Sequence, residues 1–345
     1  MTIPTPSSRS RMMFRSRPFI ALLIACIGIA SVLAYRSFGP EPAHTPLPGI
    51  QAENPGGFLS RLSLIPSAWR KRSLVSVIIE NHERARPYHQ GLEDALMIFE
   101  MPVEGFITRF NVLYDLKKLP KLIGPVRSLR PYFLDAFLPW GPPQIHAGGS
   151  PEAFARVQEI GIVFAVNGLA HDKEFMRDDG IAAPHNLFID DKGLESLLTN
   201  ATAKTLRWPP YHVGAAPSGS GALKISINLL NITNNISYAY DFFTQSYERT
   251  NGFTVSRAQP KNVLLLEIPV TNIGSFGRLE ISVTGEGKAL LFRSGTVQHG
   301  RWKKRSTDQW FTFEDKHGQP LVFAQGLTWI TAQPTLERVK WEDSL

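Results

Sequence analysis

Cysteine is nearly absent: the chain of 345 residues has one. A single thiol excludes an intrachain disulfide framework and any cysteine-rich metal site. The histidines form no H-E-x-x-H and keep no zinc spacing, and no Walker sequence occurs. Acidic residues are missing from positions 1–36, which hold Arg9, Arg11, Arg15, Arg17 and Arg36. Without those five, 32 basic residues face 30 acidic ones, so most of the formal charge of +7 belongs to the N-terminus. That distribution gives no support to a nucleic-acid partner, because a nucleic-acid-binding domain carries its own cationic surface. Internal repeats are lacking too. What remains is ordinary globular composition, 43% hydrophobic, long enough for two modest domains.

Phe19 to Tyr35 form 17 uncharged, mainly apolar positions. At about 1.5 Å per residue this run just spans a hydrocarbon core. Four arginines precede it and one follows, which predicts a cytoplasmic segment 1–18, a transmembrane signal anchor 19–35 and an extracytoplasmic remainder. Leu23-Ile24-Ala25-Cys26 offers a second reading, a lipobox that makes Cys26 a lipidated N-terminus. Nine further uncharged, mainly apolar residues after Cys26 favour the uncleaved anchor. Both readings place the bulk of the chain at the outer face of a cell membrane.

Residues 36–72 are rich in Pro, Gly and Ser and read as a linker ending in the charge run Arg70-Lys71-Arg72. From 73 to 205, strand-like runs at 74–79, 95–101, 106–114, 143–146 and 161–166 alternate with helical signals. Pro131 opens one helix. Ser150-Pro151-Glu152 opens a second, which Gly161 stops, and a third covers 192–200. The expected fold is an α/β or α+β domain with a mixed sheet. Residues 206–222 read as a second linker. Short strands punctuated by turns over 223–334 predict a mostly antiparallel β domain, with Asn251-Gly252, Gly285-Glu286-Gly287 and His317-Gly318 as turns and 335–345 as a tail.

Candidate chemistry lies in the first domain. Arg127 and Arg130 flank the start of the Pro131 helix, and guanidinium groups bind phosphate bidentately. His146, Gly148, Gly149 and Ser150 lead into a capped helix whose small residues let backbone amides approach an anion. Arg109 stands in an apolar strand, where an unpaired charge is costly. Arg177, His185 and Asn186 complete the proposed ligand set, and Glu80, Asp94, Glu100 and Glu104 are candidate acids. The same arginines fit buried ion pairs with Glu100, Glu104 or Asp135, and Ser150 fits a plain helix cap. Gly149-Ser150-Pro151-Glu152 is no nucleophile elbow, because Glu152 stands where the second glycine belongs. Trp302, Trp310 and Trp329 read either as core mass or, beside Arg301, Lys303, Lys304 and Arg305, as a glycan- or anion-binding face.

The runs EDALMIFEMPVEGFITRFNVLY, IGPVRSLRPYFLDAF, IHAGGSPEAF, APHNLFID, ISYAYDFFTQSYERTNG, PKNVLLLEI, GEGKALLFRSGTVQHGRWKK and GQPLVFAQGLTWI resemble the YerB-like family of bacterial envelope proteins, many of them lipoproteins. The resemblance covers about residues 74–334. It implies an envelope location and two successive domains, and no particular activity. The chain departs from the pattern at Ser256-Arg257, where an acidic residue is expected. The order TRFNVLY, GPVRSLR, HAGGSPEAF is also similar to that of the LytR-CpsA-Psr phosphotransferases, which use arginines on a pyrophosphate and acids on Mg²⁺.

The expected function is a membrane-tethered extracytoplasmic protein that binds an anionic envelope component, a polymer or a lipid-linked phosphate, through an arginine-lined pocket. The alternatives are a phosphotransferase-like enzyme on a lipid-linked pyrophosphate, or a scaffold for another envelope protein. No cofactor is expected, and Mg²⁺ only under the enzyme reading.

Overall fold

The structure, a computed structural model, describes residues 70–161, 165–199, 205–274 and 277–344. All of them belong to one of two compact units, Leu64–Leu345. The expected anchor at 19–35 and Cys26 lie outside the described residues. Among the described residues no helix is long and apolar enough to cross a membrane.

Strands dominate and helices are few. β1 (Arg70–Glu80) is buried from Leu74 onward, β2 (Met97–Pro102) and β3 (Thr108–Asp115) are almost continuously buried, and β1 and β3 pair antiparallel. Apolar groups pack on both faces of β1. Leu74 and Ile78 join one core, while Val75, Val77 and Ile79 join another. Such two-sided burial explains why these strands read as apolar runs rather than as alternating ones. Each fully buried Leu, Ile or Phe contributes about 1.5–3 kcal/mol of transfer free energy.

The helices follow their local signals. α1 (Pro131–Phe137) starts with proline at its first position and buries Phe133, Leu134 and Phe137. α2 (Pro151–Ile160) is capped by Ser150, whose Oγ accepts the Ala153 amide at 3.2 Å. Gly161 ends it at φ 94°, a backbone conformation that glycine enters without a Cβ clash. α3 (Asp191–Leu198) is capped by Asp190.

One mixed sheet of 12 strands runs through both halves of the sequence. β2 pairs antiparallel with β3 on one side and parallel with Thr328–Gln333 on the other, Met97 facing Thr328 and Glu100 facing Thr331. Thr328–Gln333 then pairs parallel with Asn262–Glu267, so the second half is not purely antiparallel. A five-stranded antiparallel sheet, which includes Lys224–Ile227, Ile236–Asp241 and Ser246–Asn251, packs Ile225, Tyr238 and Tyr247 against Val263, Leu265 and Phe292 of the large sheet.

Several expectations change. Arg70-Lys71-Arg72 begins β1 and pairs with Thr205–Trp208, and Arg72 forms an ion pair with Asp115. The 206–222 segment is pinned at three points, where Trp208, Tyr211 and Ala222 are buried, while 218–221 are exposed. Gly285-Glu286-Gly287 lies inside the strand Gly285–Arg293, because Gly287 crosses so close to the Glu267 carbonyl and the Trp302 ring that a Cβ would not fit. The expected tail contributes the strand Val339–Glu342. Trp302 and Trp329 are fully buried, and the half-buried Trp310 packs against Trp140 with ring centroids 3.6 Å apart and the rings tilted, so all three serve the core.

Candidate functional site

β1, Gln144–His146 and Ala165–Asn167 run parallel, so their carboxyl ends share one edge of the sheet. Open sheets with parallel strands gather ligands at such an edge, where chain reversals leave backbone and side chains free of the ladder. Glu80 ends β1 there, directly opposite Arg109 at the start of the antiparallel β3. The segment 126–130 crosses the same edge. The Arg127 amide bonds the Ile78 carbonyl, and the Ala147 amide bonds the Arg127 carbonyl.

Most of the residues expected from the sequence meet here. Glu80 is buried. Its carboxylate forms an ion pair with Arg127, Nη2 lying 3.0 Å away, and accepts from His185 Nδ1 at 2.9 Å. His82 stacks on His185 with centroids 5.0 Å apart. Burial, reinforced by the charge of His185, lowers the pKa of His82. Arg130 forms a two-pronged pair with Glu104, at 2.7 and 2.8 Å. Burial pushes the Glu104 carboxyl up, but the hydrogen bonds and charge of Arg130 outweigh it and hold the pKa below its ordinary value.

Arg109 differs from these two. Its Nη1 donates to the Ser128 carbonyl at 2.6 Å, and no carboxylate pairs with it among the described residues. Burial, and next the nearby charge of Arg130, lower its pKa to about 10, so the group remains a cation at neutral pH. Arg127 also adds to this repulsion, and its Nε is buried without a hydrogen-bond partner among the described residues. Three guanidinium groups thus share a half-buried region with two paired carboxylates.

The glycine-led turn lies alongside. Gly148 stands at φ 71°, and its amide donates to Asn167 Oδ1 at 2.9 Å. The Ser150 amide donates to the Leu129 carbonyl. These amides are therefore engaged within the protein, and Ser150 acts as the helix cap. A Cβ at Gly148 would lie 3.3 Å from Leu169 and 3.6 Å from Ser128 Oγ, and one at Gly149 would lie 3.3 Å from Phe154. Leu169 and Phe154 are exposed, so an apolar rim flanks the arginine group. Arg177 Nη1 donates to Asn186 Oδ1 at 2.9 Å, next in sequence to His185.

His146 is buried, and its Nδ1–H donates to the Gly148 carbonyl at 2.7 Å. Burial lowers its pKa to about 4 against that hydrogen bond. A folded-state pKa below the unfolded value of about 6.5 means that the unfolded chain takes up a proton first as pH falls. Stability should therefore drop between pH 6.5 and pH 4, by about 3 kcal/mol from this group alone. Urea unfolding at pH 7 and pH 4.5 should show a smaller acid loss in His146→Asn, which keeps a donor for Gly148.

The remaining acids lie elsewhere. Asp94 is near the surface and pairs with Lys118 at 3.3 Å. Glu100 is fully buried. It accepts from Arg249 at 2.9 and 3.0 Å, from Trp329 Nε1 at 2.8 Å and from Thr108 at 2.6 Å. That network joins the two halves of the sequence. Sequence reasoning missed Arg249, which sits in the strand SYERTN. No pattern in the sequence marked it: Glu248 and Arg249 stand side by side in that strand, and it is the fold that turns Arg249 inward with Tyr247 and Asn251. Among the described residues, no group of three or more His, Cys, Asp or Glu side chains is arranged to hold a metal ion.

Fold and site define a mostly β protein in which two successive segments build one mixed sheet around an arginine-rich edge. The chain belongs to the DUF3048 family: residues 63–207 match its N-terminal domain and residues 225–330 its C-terminal domain, both described as protein of unknown function. It is 31% identical over 280 residues to "Putative lipoprotein YerB" of Bacillus subtilis (strain 168), covering 77% of this chain and 83% of that protein. The crystal structure of YerB from Bacillus subtilis is similar with a TM-score of 0.70 and 27% identity, covering 79% of this chain and 94% of that one.

Proposed function

We propose that this protein is tethered at the outer face of a bacterial cell membrane and binds an anionic envelope component through the Arg109–Arg127–Arg130 group. The tether is either the 19–35 anchor or a lipid on Cys26, and the likeness to a protein named a lipoprotein supports the location. The observation that carries the ligand class is Arg109, a partly buried cation beside two others whose hydrogen bond among the described residues goes to a carbonyl. An oxyanion in this position relieves the repulsion among the three and gains charge-assisted hydrogen bonds. The exposed Leu169 and Phe154 beside the turn favour a phosphate carried on a lipid over a purely polar polymer, since an acyl or prenyl chain covers apolar surface.

Pyrophosphate and a polyprenyl phosphate analogue should each raise the melting temperature of the full-length chain, the lipid-linked one more. No shift with either would remove the anion reading. The enzyme alternative rests on the Glu80–His185 pair, in which the carboxylate orients an imidazole able to hold a proton. Release of inorganic phosphate in the same samples with Mg²⁺ would distinguish it.

A further inference from the structure

We propose a second anion site, in a separate cavity of about 80 Å³ between the segment 86–93 and the hairpin 249–257, that takes a tetrahedral oxyanion of the phosphate class. Its walls include Arg86, Arg249, Asn81 and Asn251, with Thr254, Ser256 and Arg257 toward the opening.

Two guanidinium groups are built into this wall. Arg86 is 5% exposed and Arg249 2%. All the bonds of Arg86 go to neutral oxygens: Asn81 through Nε at 3.2 Å, Asn234 Oδ1 through Nη2 at 2.8 Å, and the carbonyls of Thr233 and Asn251 through Nη1. Among the described residues no carboxylate bonds to it. Burial, and next the charge of Arg249, lower its pKa to about 10, which still leaves it charged at neutral pH. Arg249 is half compensated. Its Nη2 bonds Glu100, its Nε bonds the Tyr238 hydroxyl at 3.2 Å, and its face lies over the Trp329 ring at 4.4 Å. Nη1 of Arg249 has no hydrogen-bond partner among the described residues, and the cavity is the open space this side chain lines.

A buried cation without a counter-charge is costly, and proteins meet that cost by pairing it or by holding an anion. Glu100 is the carboxylate bonded to Arg249, and its one negative charge cannot neutralise both arginines. The cavity has room for several waters or for one small oxyanion. Donors on more than one side favour a tetrahedral ligand over a planar one. The two guanidiniums belong to the buried part of the lining. Near the opening, Ser256 Oγ already accepts from the Ala258 amide at 3.1 Å and so points its own hydrogen elsewhere. Arg257 is exposed and donates to the His89 carbonyl at 3.2 Å, with its other nitrogen 3.8 Å from Glu93. Glu93 is the acid of the lining and opposes an anion, but Arg257 offsets it. His89 also faces the cavity. Burial first, against its bond to the Glu80 carbonyl, puts its pKa at about 4, so it stays neutral.

Inorganic phosphate is the probe, titrated into the full-length chain labelled with ¹⁵N-arginine. The guanidinium resonances of Arg86 and Arg249 should shift together, at one affinity. Arg257→Glu, on the exposed rim and outside the buried network, should weaken that affinity at least tenfold, whereas Arg109→Gln should leave it unchanged. Acetate should bind at least tenfold more weakly than phosphate. The proposal is overturned if only exposed arginines respond, if Arg257→Glu has no effect, if acetate binds equally well, or if Arg109→Gln abolishes the shift. That last outcome would assign the phosphate to the strand-end group instead and leave the proposed function standing.

Discussion

Replacing Arg249 with methionine is expected to cost about 3–5 kcal/mol of unfolding free energy, the range for breaking a buried ion pair from one side. The reason lies with its partner. Glu100 is fully buried, and without Arg249 it keeps only neutral donors, Thr108 and Trp329 above all. An uncompensated carboxylate at that depth must be protonated or hydrated, and either route disrupts the packing around the parallel pairing of β2 with Thr328–Gln333. Glu100→Gln combined with Arg249→Met should cost clearly less than the two single losses added together, because the charge is then gone from both sides. Urea unfolding of the three variants measures this directly. A loss under about 1 kcal/mol for Arg249→Met would show that the pair is peripheral to stability.

The second large effect is on ligand binding. Arg109→Gln keeps an amide donor for the Ser128 carbonyl but removes the charge. Hydrogen bonds to charged groups are worth about 1.5–3 kcal/mol, so affinity for pyrophosphate should fall about ten- to hundredfold. Stability should change little or rise, since the substitution relieves the crowding of Arg109 by Arg130 and Arg127. This opposition separates a binding role from a structural one. A residue that only holds the edge together would lose stability when neutralised.

Local signals were legible and distant ones were not. The Ser150 cap, Pro151 and Gly161 marked α2 because helix ends are specified by the residues beside them. β1, β2 and β3 showed themselves as apolar runs because both of their faces are covered. The pairing of Met97 with Thr328, which fuses the two halves into one sheet, leaves no trace in either strand alone. Gly285-Glu286-Gly287 looked like a turn by composition, yet Gly287 is there for the close approach of the Glu267 carbonyl and the Trp302 ring. For the site, the sequence suggested Glu104 as a partner for the arginines, and the structure pairs it with Arg130. The pairing of Glu80 with both Arg127 and His185 was not readable, since it depends on three segments meeting at one sheet edge.

Calorimetric titration of pyrophosphate into the full-length chain and into Arg109→Gln, at matched ionic strength, tests the claim that the strand-end arginines hold an anion. Saturable binding by the unaltered chain and a ten- to hundredfold loss in the variant are the expected result. Equal affinity in the two proteins, or none in either, would contradict it.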